Sequence, residues 1–283
     1  MICTYESKLD KELRVDCKKC FGLCCIALYF SASEGFPTNK DAGKPCINLQ
    51  SDFTCSVHQN LRKKGLKGCT AYDCFGAGQK VSQVTYEGHS WSEIPQSANK
   101  MFDIFLIMRQ LHEMLWYLNQ AFTLQTNEDI KKEICLLLDN TESLTLLDAD
   151  SLLTLDVDAH RTKVNMILKN TSELVRSKTS NGKKVSSKNR KNHSHPLDYF
   201  GSDLRKVNLK GADLRGACLI ASNLKGVDLT GADLIGADLR DADLSGADLR
   251  NSIFLTQGQI NTAKGDSNTK LPKMITRPTY WSK

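Results

Sequence analysis

Leucine stands at every fifth residue from Leu204 to Leu249, and Phe254 keeps the register, giving eleven consecutive units of the form small, polar, Leu, x, x. Units such as Ala212-Asp213-Leu214-Arg215-Gly216 and Ala232-Asp233-Leu234-Ile235-Gly236 make this an internal repeat, a signal that outranks any local propensity. A period of five suits neither regular element. On an α-helix, residues five apart are rotated by about 140°, which scatters the leucines around the cylinder. On a flat strand an odd spacing sends successive leucines to opposite faces. They share one interior only if the backbone bends at every unit, so the repeat predicts a β-helix with a narrow core.

The other columns agree. Two residues before each Leu stands a small side chain, among them Ala212, Ala217, Ala232, Ala237, Ala242 and Ala247, which shares a narrow interior with the leucines. Glycine follows the Leu by two at Gly211, Gly216, Gly226, Gly231, Gly236 and Gly246, where a tight corner requires positive φ. The remaining columns are polar and are expected to face water. This pattern, from Ser202 to Phe254, resembles the pentapeptide repeat family, whose motif is Ala-Asp/Asn-Leu-x-x. The resemblance implies a right-handed, quadrilateral β-helix with four units per coil. Eleven units make a little under three coils, a rod of roughly 14 Å at about 4.8 Å per stacked strand. The tail is similar to segments that close such solenoids. Thr256 and Gln259 read as a capping box, with Gly265 as the stop of a short helix.

Eight of the eleven cysteines fall between Cys17 and Cys74: Cys17, Cys20, Cys24, Cys25, Cys46, Cys55, Cys69 and Cys74. The chain opens with acids and bases interleaved and lacks the apolar run of a secretory signal, and no stretch reaches membrane-spanning length. A cytoplasmic address follows, where thiols stay reduced and clustered cysteines usually hold metal. Close pairs such as Cys17/Cys20 suit a tetrahedral thiolate site for Zn2+, with sulfur at about 2.3 Å, and the same thiolates suit an iron-sulfur cluster. A disulfide framework and plain buried thiols are the alternatives. His58, three residues after Cys55, is a candidate nitrogen ligand or an ordinary polar histidine. Cys135 lies in an apolar helical pattern as a core thiol; Cys3 is isolated; Cys218 falls in an outward column as an accessible thiol. The cluster is similar to the CxxCxxCC family of zinc- or iron-chelating proteins, through Cys17, Cys20 and the Cys24-Cys25 pair, the Lys44-Pro45-Cys46-Ile47-Asn48-Leu49 segment, Cys55, Cys69 and Cys74. Here one extra residue separates Cys20 from Cys24. The resemblance implies a metal and leaves its ligand subset open.

Between these regions Met101, Phe105, Met108, Leu111, Leu115 and Leu118 recur at helical steps, predicting an amphipathic helix over 97–124. Asn127 caps a second, with Ile130, Ile134, Leu137 and Leu138 on its buried face. Residues 144–155 and 164–175 supply two more. His112-Glu113 starts a zinc-protease pattern, but Trp116 stands where its second histidine belongs. From Arg176 to Pro196 there are seven basic and no acidic residues, a linker by composition. The whole net charge of +6 is located there, because removing these seven from 38 basic residues leaves 31 against 32 acidic ones. The expected organisation is therefore multidomain: a cysteine-rich metal-binding domain over 1–80, an α-helical region over 81–175, a basic linker over 176–197, the β-helix over 198–255 and a cap and tail over 256–283.

No nucleophile elbow, phosphate loop or dinucleotide fingerprint appears, so an interaction protein leads over a redox or metal-dependent enzyme that uses the cysteines. The expected partner is a protein met by the repeat surface; nucleic acid is expected to touch only the basic linker. Some pentapeptide proteins mimic duplex DNA and bind type II topoisomerases. The repeats here carry eight acidic and seven basic residues, too balanced for a duplex surface with one negative charge per about 1.7 Å.

Overall fold

The structure, a computed structural model, describes residues 9, 11–179 and 197–281 and divides into two compact units, Met1–Leu168 and Lys169–Lys283. Cys3 and most of the basic tract, 180–196, lie outside the described residues.

The first unit is helical. Its short helices are α1 (Leu23–Ala27), α2 (Lys67–Ala71) and α3 (Ala77–Lys80). They lead to α4 (Ala98–Leu124), α5 (Glu128–Leu144), α6 (Ala149–Leu153) and the start of α7 (Val157–Thr179). The apolar spacing of α4 does what it predicts: Met101, Phe105, Met108, Leu111 and Leu118 are fully buried, and α1, α3, α5 and α6 pack against this helix. Each such side chain contributes about 1.5–3 kcal/mol of burial. Asn127 caps α5, accepting hydrogen bonds from the amides of Asp129 and Ile130. Within α5, Ile134 and Leu138 are buried, whereas Ile130, Leu137 and Cys135 are only half-buried, so Cys135 is not a core thiol. Of the helix expected over 144–155, only the five residues of α6 form beyond the end of α5. α5 ends at Leu144, and Asp148 starts α6 by accepting from the amides of Asp150 and Ser151.

The boundary between the units falls inside α7, which runs on through Arg176 to Thr179. In the second unit, parallel bridges join residues 20 apart, among them Asp203 with Asn223, Asp213 with Asp233 and Asp228 with Asp248. Each of these bridges thus pairs residues four pentapeptides apart. Pairing among the described residues is confined to isolated bridges, with no extended strand, because every unit bends before a second bridge can form. Leu204 to Leu249 and Phe254 are all buried, and all six glycines of the corner column have φ between +62° and +68°.

The polar column is not simply solvated. In ten units the Asp or Asn Oδ1, from Asp198 to Asp248, accepts the backbone N–H two residues on at 2.9–3.4 Å. These Asx turns close each corner. Asp233 is fully buried, and Cys218, which takes a place in this column, is half-buried rather than openly accessible. The tail continues the stack: Leu244 and Leu249 donate to Lys264 O and Lys270 O. α8 (Gln257–Thr262) has the full capping box of Thr256 and Gln259. Its stop is Ala263, not Gly265; a Cβ at Gly265 would lie 2.5 Å from the Trp281 ring, so that glycine admits the indole.

Candidate metal centre

The eight cysteines come together in the first unit. Seven of them, all but Cys46, line one cavity of about 300 Å3. Cys46 is buried beside it with Cys25, Phe30, Phe36 and Leu66. All ten described cysteines are free thiols, so the disulfide alternative is not what these residues form. Among the described residues no group of three or more His, Cys, Asp or Glu side chains is arranged so that it could hold a metal ion.

The segment carrying Cys17 and Cys20 is pinned by side chains of the helix that follows Cys74. Gln79 Oε1 accepts from Asp16 N at 2.6 Å, Gln83 Nε2 donates to Lys19 O at 2.9 Å, and Phe21 N donates to Ser82 Oγ at 3.0 Å. Trp91 Nε1 donates to Phe21 O at 2.8 Å. These four side chains bracket both cysteines in position, and sequence reading missed them. Nothing in their local spacing announces a partner more than 60 residues away. Gly78 matters by its size, since a Cβ there would lie 2.6 Å from Cys20 Sγ.

Cys46 and Cys25 are tied by Cys46 N donating to Cys25 O at 2.9 Å, and an antiparallel bridge pairs Leu49 with Cys55. Backbone amides also point at sulfur. Asn48 N lies 3.4 Å from Cys46 Sγ; Val57 N donates to Cys55, Gly22 and Leu23 to Cys20, and Gly76 and Gly78 to Cys74. Such donors favour a sulfur carrying negative charge, because a neutral thiol is a weak acceptor. His58 Nε2 stands 4.0 Å from Cys17 Sγ.

Burial keeps most of these thiols protonated. It pushes Cys17, Cys20 and Cys74 up to about 11 and Cys69 up to about 12. The Cys24 thiol is raised first by donating to Cys25 and then by burial, while that same hydrogen bond lowers Cys25, helped by Lys40. A soft ion would have to displace these protons, and thiolate sites do so because metal–sulfur bonding outweighs the S–H bond. The thiol donors and the amides directed at them have the chemistry for such an ion.

The charged residues of the repeat unit are largely spoken for. Asp203, Asp213, Asp238 and Asp248 pair with the arginine two residues on, and Asp228 and Asp243 with Lys210 and Lys225. Arg176 of α7 reaches Asp213 at 3.1 Å and Gly211 O at 3.2 Å, so this member of the basic tract is held within its unit. No helix among the described residues is long and apolar enough to cross a membrane.

Comparison with known proteins agrees with the repeats. The pentapeptide-repeat family model matches residues 201–219 and 217–254. Over 278 residues, 98% of each chain, the sequence is 54% identical to the "Uncharacterized protein YybG" of Bacillus subtilis (strain 168). The crystal structure of a pentapeptide repeat protein, Rfr23, from the cyanobacterium Cyanothece 51142 aligns at 31% identity and a TM-score of 0.21. It covers 26% of this chain, which spans a little over half, 56%, of that one.

Proposed function

We propose that this chain, which belongs with YybG to one family of pentapeptide-repeat proteins, is a metal-binding interaction protein. Its cysteine region holds a thiolate-bound ion, Zn2+ in the first instance and an iron-sulfur cluster as the alternative. The repeats form a short right-handed, quadrilateral β-helix, a reading supported by the 20-residue parallel register, and offer a surface to a protein partner. A cytoplasmic site of action belongs to the same reading and is supported by ten free thiols. The observation that carries the proposal is the convergence of seven sequence-distant cysteines on one cavity, with backbone amides aimed at their sulfurs.

The test is the metal content and absorption spectrum of full-length protein purified without oxygen. Stoichiometric zinc in a colourless protein, much reduced by Cys24→Ser/Cys25→Ser, is the expected result; a brown chromophore selects the iron-sulfur alternative. Metal-free protein, or unchanged metal in that variant, sinks the assignment. A redox reading has one observation in its favour, the lowered Cys25 thiol beside Cys24 and Lys40. The duplex-mimic reading has little support, because the acidic column is paired with Arg and Lys and leaves no continuous negative face. In a supercoiling assay the protein is expected to give DNA gyrase no protection from fluoroquinolones, and clear rescue would restore the mimic.

A further inference from the structure

We propose, resting on the metal reading above, that the cysteines make two separate four-sulfur sites: Cys17, Cys20, Cys24 and Cys74 in one, Cys25, Cys46, Cys55 and Cys69 in the other. Each takes one soft, thiolate-preferring ion or cluster.

Three observations divide the eight. The first is packing. Cys25 and Cys46 are buried in one apolar cluster against which Cys55 and Cys69 pack, whereas Cys17, Cys20 and Cys74 are not part of it. Cys69 in turn has Cys25, Cys46 and Cys55 as its thiol neighbours. The other group meets around Gly78, whose Cα faces Cys20 Sγ and whose amide donates to Cys74. Cys20 N donates to Cys17 O at 3.3 Å, which folds these two cysteines into one turn; Cys24 has Cys25, Cys20 and Cys74 as thiol neighbours and Cys17 has Cys20, Cys25 and Cys55, so the two groups adjoin at Cys25.

The second is the helix that carries the adjacent pair. Cys24 and Cys25 are adjacent on α1 and Cys24 donates to Cys25, so the border between the two sites runs through this pair. One sulfur to each site resolves the pair. Cys24 also belongs to the rim of the apolar cluster, which fits a residue at the border between the two.

The third is the repetition of one local device. A backbone amide two residues on points at the sulfur of Cys20 and Cys74 in the first group, and of Cys46 and Cys55 in the second. Each group thus holds two amide-cradled sulfurs, the arrangement that stabilises thiolates bound to a metal. Loading either group with a divalent ion exchanges four S–H bonds for four metal–sulfur bonds and releases up to four protons, with no change in oxidation state.

The experiment is an anaerobic titration of the reduced full-length chain with Co2+, read by its sulfur-to-cobalt charge-transfer and ligand-field absorption. Saturation at two equivalents is expected. Cys74→Ser and Cys69→Ser are each expected to remove one equivalent and keep the other, and the double variant to lose both. Saturation of the wild type at one equivalent, or loss of both equivalents in either single variant that retains its far-UV circular dichroism, overturns the division and leaves the metal reading standing. Absence of thiolate-to-cobalt absorption in the wild type overturns both. Should the variants fail to fold, 113Cd resonance of the cadmium-loaded wild type decides, with two all-sulfur signals expected and one signal overturning the division.

Discussion

The repeat region and the cysteine region are held together in opposite ways. In the repeats every rung copies the one before it: Leu214, Leu234 and Phe254 are stacked 20 residues apart, and each corner is closed by the same Asx bond. In the cysteine region the side-chain contacts that hold the chain follow no period. Cys20 has its place because Gln79, Ser82, Gln83 and Trp91 hold its neighbours, and Cys74 reaches it across Gly78. Stability distributed over equivalent rungs needs no ion. On the metal reading proposed above, a region whose sulfur groups meet around a cavity concentrates its stability in the bound ion.

The sharpest way to break this contrast is to remove the metal. Structural zinc supplies about 10–16 kcal/mol in small thiolate domains, so chelation of the loaded protein is expected to abolish hydrogen-exchange protection up to the neighbourhood of Lys80. The repeats are expected to keep theirs. Loss of protection at the amides of Leu214 and Leu234 under chelator would show that the two regions do not differ in this way.

The complementary substitution acts on the repeats alone. Leu234 is fully buried, and Leu234→Asp places an unpaired carboxylate in the narrow interior at a cost of roughly 5 kcal/mol or more. Ile235 is only half-buried in the next column, and Ile235→Asp is expected to stay within about 0.5 kcal/mol. Urea unfolding followed by circular dichroism measures both. Equal losses would mean that the inward and outward columns have been assigned wrongly.

His112 sharpens the contrast from the helical side. It is buried on α4, and its Nδ1–H donates to Phe75 O at 2.7 Å. Burial first, and then Lys80, lower its pKa from 6.5 to about 4, against the hydrogen bond, which raises it. The folded state thus refuses a proton that the unfolded chain accepts. The resulting stability is complete above pH 6.5 and is lost as pH falls through 4, by about 3 kcal/mol in all. The repeat unit has no such buried histidine among its described residues. His112→Asn, which keeps a donor near the Nδ1 position, is expected to flatten the difference in unfolding midpoint between pH 7 and pH 4.5. An unaltered slope in that variant would remove His112 as its source.

How much of this could be read from the sequence follows the same contrast. Ten leucines at one spacing state the inward column ten times, so the period, the interior and the positive-φ glycines were all legible. The role of the Asp column was equally repetitive and still passed as solvent-facing, although Asp and Asn are the residues whose side chains close turns onto a backbone amide two positions on. The Asp148 cap was a local signal of the same kind, overridden by the leucines around it. In the cysteine region residue type proposed a chemistry and did not show which sulfurs adjoin. Whether Cys74 joins Cys20 or Cys69 depends on contacts across more than 50 residues, through a glycine and a row of polar side chains with no periodicity.

The smallest expected effect lies where the repeats end. Thr256 caps α8 by accepting from Gln259 N at 3.4 Å, and Gln259 answers by accepting from Thr256 N at 2.8 Å. Gln259 Nε2 also donates to Leu234 O and Ala237 O, both at 2.8 Å, so one side chain joins the cap to the rung beneath it. Thr256→Ala removes one acceptor but leaves those two bonds in place, and is expected to cost about 1 kcal/mol, with Thr256→Ser recovering most of it. Because each rung leans mainly on its neighbours, the loss is expected to appear as fraying of α8 and the residues around Lys264, with no change at Leu214. Hydrogen exchange resolved along the chain measures it. A loss of protection spread evenly down to Leu204 would show that the stack unfolds as a single unit, and the picture of independent, equivalent rungs would have to be given up.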